Sequence, residues 1–215
     1  MQKRTIEQIK AVMQKKEYVF FEKGDYNLNL IAVRENDSFE NTFSDTLYVI
    51  YKVKGIWQML VLPWTTLAGT KGIGGEQKPL TGAQTGTGVD GVAVIVEGQY
   101  RSVFNFVDTY TGFSKYPFFN QVQPMNYYRD NDRDGKITRT GKVYRGNYAT
   151  LLHRMSNNGV ASNEVNTEWA SWSQGCNGCP EPEFARLVEL TRKAVKLHGT
   201  LFTYTLLHAN SFHFV

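Results

Sequence analysis

"NLNLIAVR" (27–34) decides the structural class of this chain. Asn27 and Asn29 alternate with Leu28 and Leu30, and Ile31, Ala32 and Val33 follow directly. A period of two sends successive side chains to opposite faces of an extended strand. The pattern returns in "TLYVIYKV" (46–53), "WQMLVLPW" (57–64) and "GVAVIVEGQY" (91–100), all rich in β-branched and aromatic residues. "VFNFVD" (103–108), "VQPMNYYR" (122–129) and "KVYRGNYATLLH" (142–153) predict further strands. Up to residue 153, predicted strand outweighs predicted helix.

Two segments carry a helical period instead. Thr5 and Gln8 have the spacing of a capping box, and Ile6, Ile9 and Met13 form one apolar face, so 5–17 is a short amphipathic helix. In "PEPEFARLVELTRKAVKLHG" (180–199), Phe184, Leu187, Val188, Thr191 and Val195 share a face. Pro182 and Glu183 suit its first turn, Arg192, Lys193 and Lys196 its last, and Gly199 its end. "LFTYTLLH" (201–208) is a closing strand. The expectation is a mainly β (α+β) fold, a sandwich or barrel with a helix near each end. No linker or repeat divides residues 1–215, so a single domain is expected.

Composition narrows the function classes. At 215 residues and 24.5 kDa, with 41% hydrophobic and 13% aromatic residues, the chain can bury a core and is not of disordered type. The net charge of +4 comes from scattered Lys and Arg rather than a basic cluster, so nucleic acid is not indicated. "MQKRTIEQIKAVMQKKEY" lacks the apolar core of a signal peptide, and no run approaches a membrane span. The expectation is synthesis in the cytosol without a membrane anchor. Two cysteines three residues apart cannot form a disulfide framework. "GTKGIGGEQKPLTGAQTGTG" (69–88) holds seven glycines but matches no phosphate-binding spacing, and reads as a long loop, a lid beside a site.

"LLHRMSNNGVASNEVNTEWASWSQGCNGCP" (151–180) gathers both cysteines, His153, Trp169 and Trp172. A cysteine nucleophile needs a base and a turn that offers free backbone N–H groups. His153 ends a predicted strand, Gly175 permits an unusual backbone just before Cys176, and the following helix directs its positive end toward the cysteines. Cys176 and Cys179 also form a C-x-x-C, open to a redox or zinc reading with His198, His208 or His213, and Cys179 lies nearest the helix dipole. In "YRDNDRDGKITRTG" (128–141), Asp130, Asp132, Asp134, Gly135 and Ile137 match the first half of a calcium loop, but Gly141 stands where a closing acid belongs. Calcium is therefore a weak candidate, against an acidic turn between strands.

His153, nineteen residues, and then Ser173-Gln174-Gly175-Cys176 resemble the signature of the L,D-transpeptidase (YkuD-type) catalytic domain. The likeness is specific over 143–190 and architectural before it, and "TTLAG" (65–69) stands where that family often has a Thr-Pro-x-Gly turn. The resemblance implies an L,D-transpeptidase-like β-sandwich or barrel that needs no cofactor. It makes Cys176 the nucleophile on a peptidoglycan stem peptide, His153 the general base and then acid, and Gly175 with Cys176 the oxyanion site. Ser173 would shape the turn, and Trp169 and Trp172 would wall the substrate. The family usually has Gly after the His and an apolar residue and Arg after the Cys; this chain has Arg154, Asn177 and Gly178. Arg154 is the candidate for the missing guanidinium. The missing export signal suggests a wall-degrading enzyme delivered by other means, such as a phage lysin, virion hydrolase or secreted effector. The alternative is a non-catalytic phage or binding protein that keeps the fold, with or without a metal.

Overall fold

The computed structural model describes residues 3–36, 42–67, 92–108, 116–130, 137–155 and 175–213. The chain begins with helix α1, Ile6–Lys15, closed at its start by the Thr5–Gln8 capping box. Strands β1 (Asn29–Arg34), β2 (Asp45–Val53) and β3 (Ile56–Trp64) follow, then β4 (Val92–Ile95), β5 (Gly98–Val107), β6 (Phe118–Gln121) and β7 (Met125–Asp130). After β8 (Tyr144–Gly146), β9 (Leu151–Arg154) and β10 (Asn177–Cys179) come helix α2 (Glu181–His198), β11 (Leu201–His208) and a short 3-10 turn at Ala209–Phe212. The fold is mainly β, with one helix at the N-terminal end and one after the cysteines.

Eight strands form one sheet in the order β10-β9-β6-β5-β11-β1-β2-β3. Only β1 with β11 and β9 with β10 run parallel; the other neighbours are antiparallel. The two ends of this sheet meet. Beyond β3, the Thr65 N–H donates to the Gly178 carbonyl at 2.8 Å, and the Gly178 N–H donates to the Thr65 carbonyl at 3.2 Å. This bridge turns the sheet into a nearly closed barrel and removes the two exposed edges there. β4, β7 and β8 form a second, three-stranded sheet.

The alternation seen in the sequence divides two cores. Leu30 and Ala32 of β1 join Leu47, Val49, Leu62, Trp64, Phe104, Phe119, Leu152, Tyr204 and Leu206, and Phe184 and Leu187 of α2 enter the same cluster. Ile31 and Val33 turn the other way, onto Ile9, Val12 and Met13 of α1, with Tyr48, Ile50 and Leu207. β1 is therefore buried on both faces, as the unbroken Ile31-Ala32-Val33 run requires. Within the first core, the Trp64 indole N–H donates to the Tyr204 hydroxyl at 3.1 Å. Tyr204 in turn donates to Asn177 Oδ1 at 2.8 Å. This chain of bonds satisfies three buried polar groups and ties β3, β11 and β10 together.

A charged cluster fixes the Thr65–Thr66 segment at the seam. Buried Arg34 donates from Nε to Thr66 Oγ1 at 2.9 Å and from Nη2 to the Ile95 carbonyl at 3.0 Å. Asp45 Oδ2 accepts from the Thr66 N–H at 2.8 Å and the Thr66 hydroxyl at 2.6 Å. Burial lowers the Arg34 pKa, while the Asp45 and Glu97 carboxylates act against that shift.

The structure corrects two strand predictions. "GVAVIVEGQY" is two strands: the chain leaves the small sheet at Val96–Glu97 and enters the barrel at Gly98, with the Tyr100 hydroxyl donating to the Val96 carbonyl at 2.6 Å. "KVYRGNYATLLH" likewise divides into β8 and β9. An unbroken apolar run such as Val92 to Val96 carries no mark of a change of sheet. The 69–88 loop lies outside the described residues. Among the described residues no helix is long and apolar enough to cross a membrane.

Gly178 sits where a Cβ would overlap the His153 carbonyl oxygen and approach Met155 Cγ to 2.9 Å. Gly178→Ala is therefore expected to lower stability by about 2–3 kcal/mol. Gly98→Ala meets only ordinary contacts with Tyr100 and is expected to change stability by less than about 0.5 kcal/mol. Urea unfolding of both variants checks the contrast.

Candidate active site

β9 and β10 carry the candidate site. Their parallel register sets Asn177 against Leu152, Gly178 against His153 and Cys179 against Arg154. Residues paired in this way share a face, and faces alternate along each strand. Leu152, Asn177 and Cys179 therefore point into the barrel core, while His153 belongs to the opposite face; Cys176 lies just before β10. Cys176 is partly buried there, packed against Phe43 and Met155. The two cysteines thus lie in different packing clusters, and both are free thiols.

Gly175 explains how the chain reaches Cys176. It has φ +142, and a Cβ would meet the Ala93 carbonyl oxygen at 2.6 Å. Only glycine combines that backbone with so close an approach to β4. Immediately afterwards, the Leu151 N–H donates to Cys176 Sγ at 3.4 Å. A backbone donor aimed at sulfur favours the thiolate over the thiol.

His153 is held as a neutral imidazole. Its Nδ1 lies 2.6 Å from the Arg154 carbonyl oxygen. A carbonyl can only accept, so Nδ1 carries the proton and Nε2 keeps its lone pair. Burial lowers the imidazole pKa to about 4; the bond to the Arg154 carbonyl opposes the shift, and the Arg154 charge adds to it. The ring is therefore neutral near pH 7 and able to take a proton at Nε2.

The remaining predicted residues are distributed differently. Arg154 faces the α2 side: its guanidinium pairs with Glu181 in the first helical turn and lies over the Tyr116 ring. It ties β9 to α2 and is not brought to the face of His153. Cys179 does not gain the lower pKa that its place nearest the helix dipole would allow: burial raises it well above the ordinary thiol value and the Glu183 carboxylate raises it further. Desolvation outweighs the helix dipole at this position. Ser173, Trp169 and Trp172 lie outside the described residues.

The two departures after Cys176 have structural reasons. Asn177 points inward and accepts the Tyr204 hydroxyl proton, so a polar residue there completes the core chain. Position 178, pressed against His153 and Met155, has no room for an arginine side chain. Thr65 of "TTLAG" is the residue that bridges to Gly178.

The metal candidates are not assembled among the described residues. Asp130 is fully buried at the end of β7, where its Oδ1 accepts the Thr138 N–H at 3.2 Å. Asp132 and Asp134 lie outside the described residues. His198 Nε2 donates to the Asp25 carbonyl at 2.8 Å, and His208 Nδ1 accepts the Asn210 N–H at 3.1 Å. Among the described residues no group of three or more His, Cys, Asp or Glu is placed to hold a metal ion.

Comparison with protein-family models, with curated proteins and with solved structures gives no match.

The shifted histidine makes stability depend on pH. Its pKa is about 4 in the folded chain and about 6.5 when unfolded. Its contribution is thus complete above about pH 6.5, falls as pH drops toward 4, and levels off below that, by at most about 1.4 kcal/mol per pH unit. Urea unfolding between pH 7 and 4 is expected to show this slope in the wild type and to show it reduced in His153→Gln.

Proposed function

We propose that this chain is a cysteine-dependent acyl-transfer enzyme acting on peptidoglycan stem peptides, as an L,D-transpeptidase, carboxypeptidase or endopeptidase. The observation that carries the reading is the pairing of β9 with β10. It supports the reading by setting the strand of His153, whose Nε2 keeps its lone pair, beside the strand that Cys176 immediately precedes, and the Leu151 N–H of β9 reaches the Cys176 sulfur. The likeness of His153 and Ser173-Gln174-Gly175-Cys176 to the L,D-transpeptidase signature supports the substrate class.

The chemistry runs in two halves. The Cys176 proton passes to His153 Nε2, the sulfur attacks an amide carbonyl carbon, and a tetrahedral oxyanion forms. Backbone N–H groups at the Gly175–Cys176 turn are the donors for that oxyanion. Collapse breaks the C–N bond, His153 returns the proton to the leaving amine, and a thioester remains on Cys176. Water then gives hydrolysis, whereas a second amine gives a cross-link; either regenerates the thiol. Because His153 is held neutral, the ground state pairs a neutral imidazole with the thiol rather than a preformed ion pair. The acid limb of kcat/KM is therefore expected near pH 4 rather than 6.5. Wall degradation in a phage or effector setting is the role we assign to this activity.

Digestion of purified diaminopimelate-type and lysine-type peptidoglycan, read by mass spectrometry, tests the reading. Wild type and Cys179→Ser are expected to release new stem-peptide fragments. Cys176→Ala and His153→Ala are expected to lose roughly a hundredfold or more of that product. No product from the wild type on either wall would sink the proposal.

A further inference from the structure

We propose that Gln121 and Tyr127 are positioning residues that set the charge state of Cys176, acting through Thr150 and the Leu151 N–H. This rests on the reading of Cys176 as the nucleophile. Gln121 Oε1 accepts three bonds, from the Tyr127 hydroxyl at 3.0 Å, the Tyr148 N–H at 3.1 Å and the Thr150 N–H at 3.2 Å. Its Nε2 donates to the Gln123 and Gly146 carbonyls at 2.8 and 3.0 Å. The amide is thus clamped at both ends.

The direction of each bond can be worked out. The Tyr127 proton goes to Gln121, because a carbonyl oxygen can only accept. The Thr150 hydroxyl, 2.9 Å from the Tyr127 hydroxyl, is then the donor of that pair. Thr150 is consequently held by both its N–H and its side chain, and the next peptide group presents the Leu151 N–H to Cys176 Sγ. Gln121, Tyr127 and Thr150 are 2%, 0% and 3% exposed, so water does not compete for these bonds.

Two further observations point the same way. Ala149, immediately before Thr150, adopts φ +57, a conformation a residue with a Cβ keeps only where its surroundings impose it. A charge at Cys176 also raises the Tyr127 pKa, which puts the phenol within electrostatic reach of the sulfur. A hydrogen-bond donor to the charged form of a thiol favours that form, and the benefit falls as the donor is displaced. Loosening the Thr150–Leu151 peptide therefore shifts Cys176 toward the neutral thiol without touching Cys176 or His153.

The test is the pH profile of iodoacetamide labelling at Cys176 in the full chain, followed by peptide mass spectrometry. Tyr127→Phe and Thr150→Val each remove one oxygen's worth of bonding, and both are expected to move the midpoint up by about half a pH unit or more. Thr150→Ser restores the hydroxyl and is expected to keep the wild-type profile. Val33→Ala, in the α1-facing core, loses stability and is expected to leave the midpoint unchanged. An unmoved midpoint in folded Tyr127→Phe and Thr150→Val overturns the inference, as does an equal shift in Val33→Ala. Wild-type labelling no faster than a free thiol, and indifferent to His153→Ala, instead overturns the nucleophile reading itself.

Discussion

The pair of hydrogen bonds between Thr65 and Gly178 is the constraint from which the rest follows. Strand β10 is only three residues long and has few bonds of its own. With β9 on one edge and Thr65 on the other, the strand is bonded on both sides, and the eight-stranded sheet closes through it. Gly178 can occupy that place because it has no side chain to meet His153 and Met155. Behind Thr65, the Arg34–Thr66–Asp45 cluster holds the other side of the seam. Cys176 therefore directly precedes a strand fixed within the barrel.

Closure also decides which residues can work together. Parallel pairing beside the seam sorts the side chains of β9 and β10 between two faces. Asn177 and Cys179 go into the core, where one completes the Trp64–Tyr204 chain and the other is held as a neutral thiol. His153 turns to the opposite face, and Cys176 packs against Phe43 and Met155. The carbonyl of Arg154 fixes the histidine tautomer, while its side chain anchors α2 through Glu181. One residue thus orients the imidazole and braces the helix that follows the cysteines.

Much of the fold was legible in the sequence, because it depends on local periodicity. β1, β2, β3, β11 and both helices fall close to their predicted limits, and Thr5 with Gln8 forms the predicted cap. The seam was not legible: no local pattern ties Thr65 to Gly178, and β10 is too short to show a period. The break at Val96–Glu97 was hidden because the unbroken apolar run from Val92 to Val96 leads straight into it. For the site, the likeness to the L,D-transpeptidase signature singled out Cys176 and His153, while the positive helix end suggested the wrong environment for Cys179. Burial, which spacing does not reveal, outweighs the dipole there. Gln121 gave no signal at all, since a lone glutamine in an apolar strand looks like any surface amide until its three donors are seen converging on it.

The central claim is that the seam makes Cys176, and not Cys179, a nucleophile served by His153. Its most direct test is capture of the acyl-enzyme: wild-type protein mixed with a stem-peptide substrate, quenched in acid, and weighed intact and as peptides. The account predicts an adduct of the acyl fragment's mass on Cys176, discharged by hydroxylamine and absent in Cys176→Ala. Product formation with an adduct on Cys179, or with none on either cysteine, would contradict it.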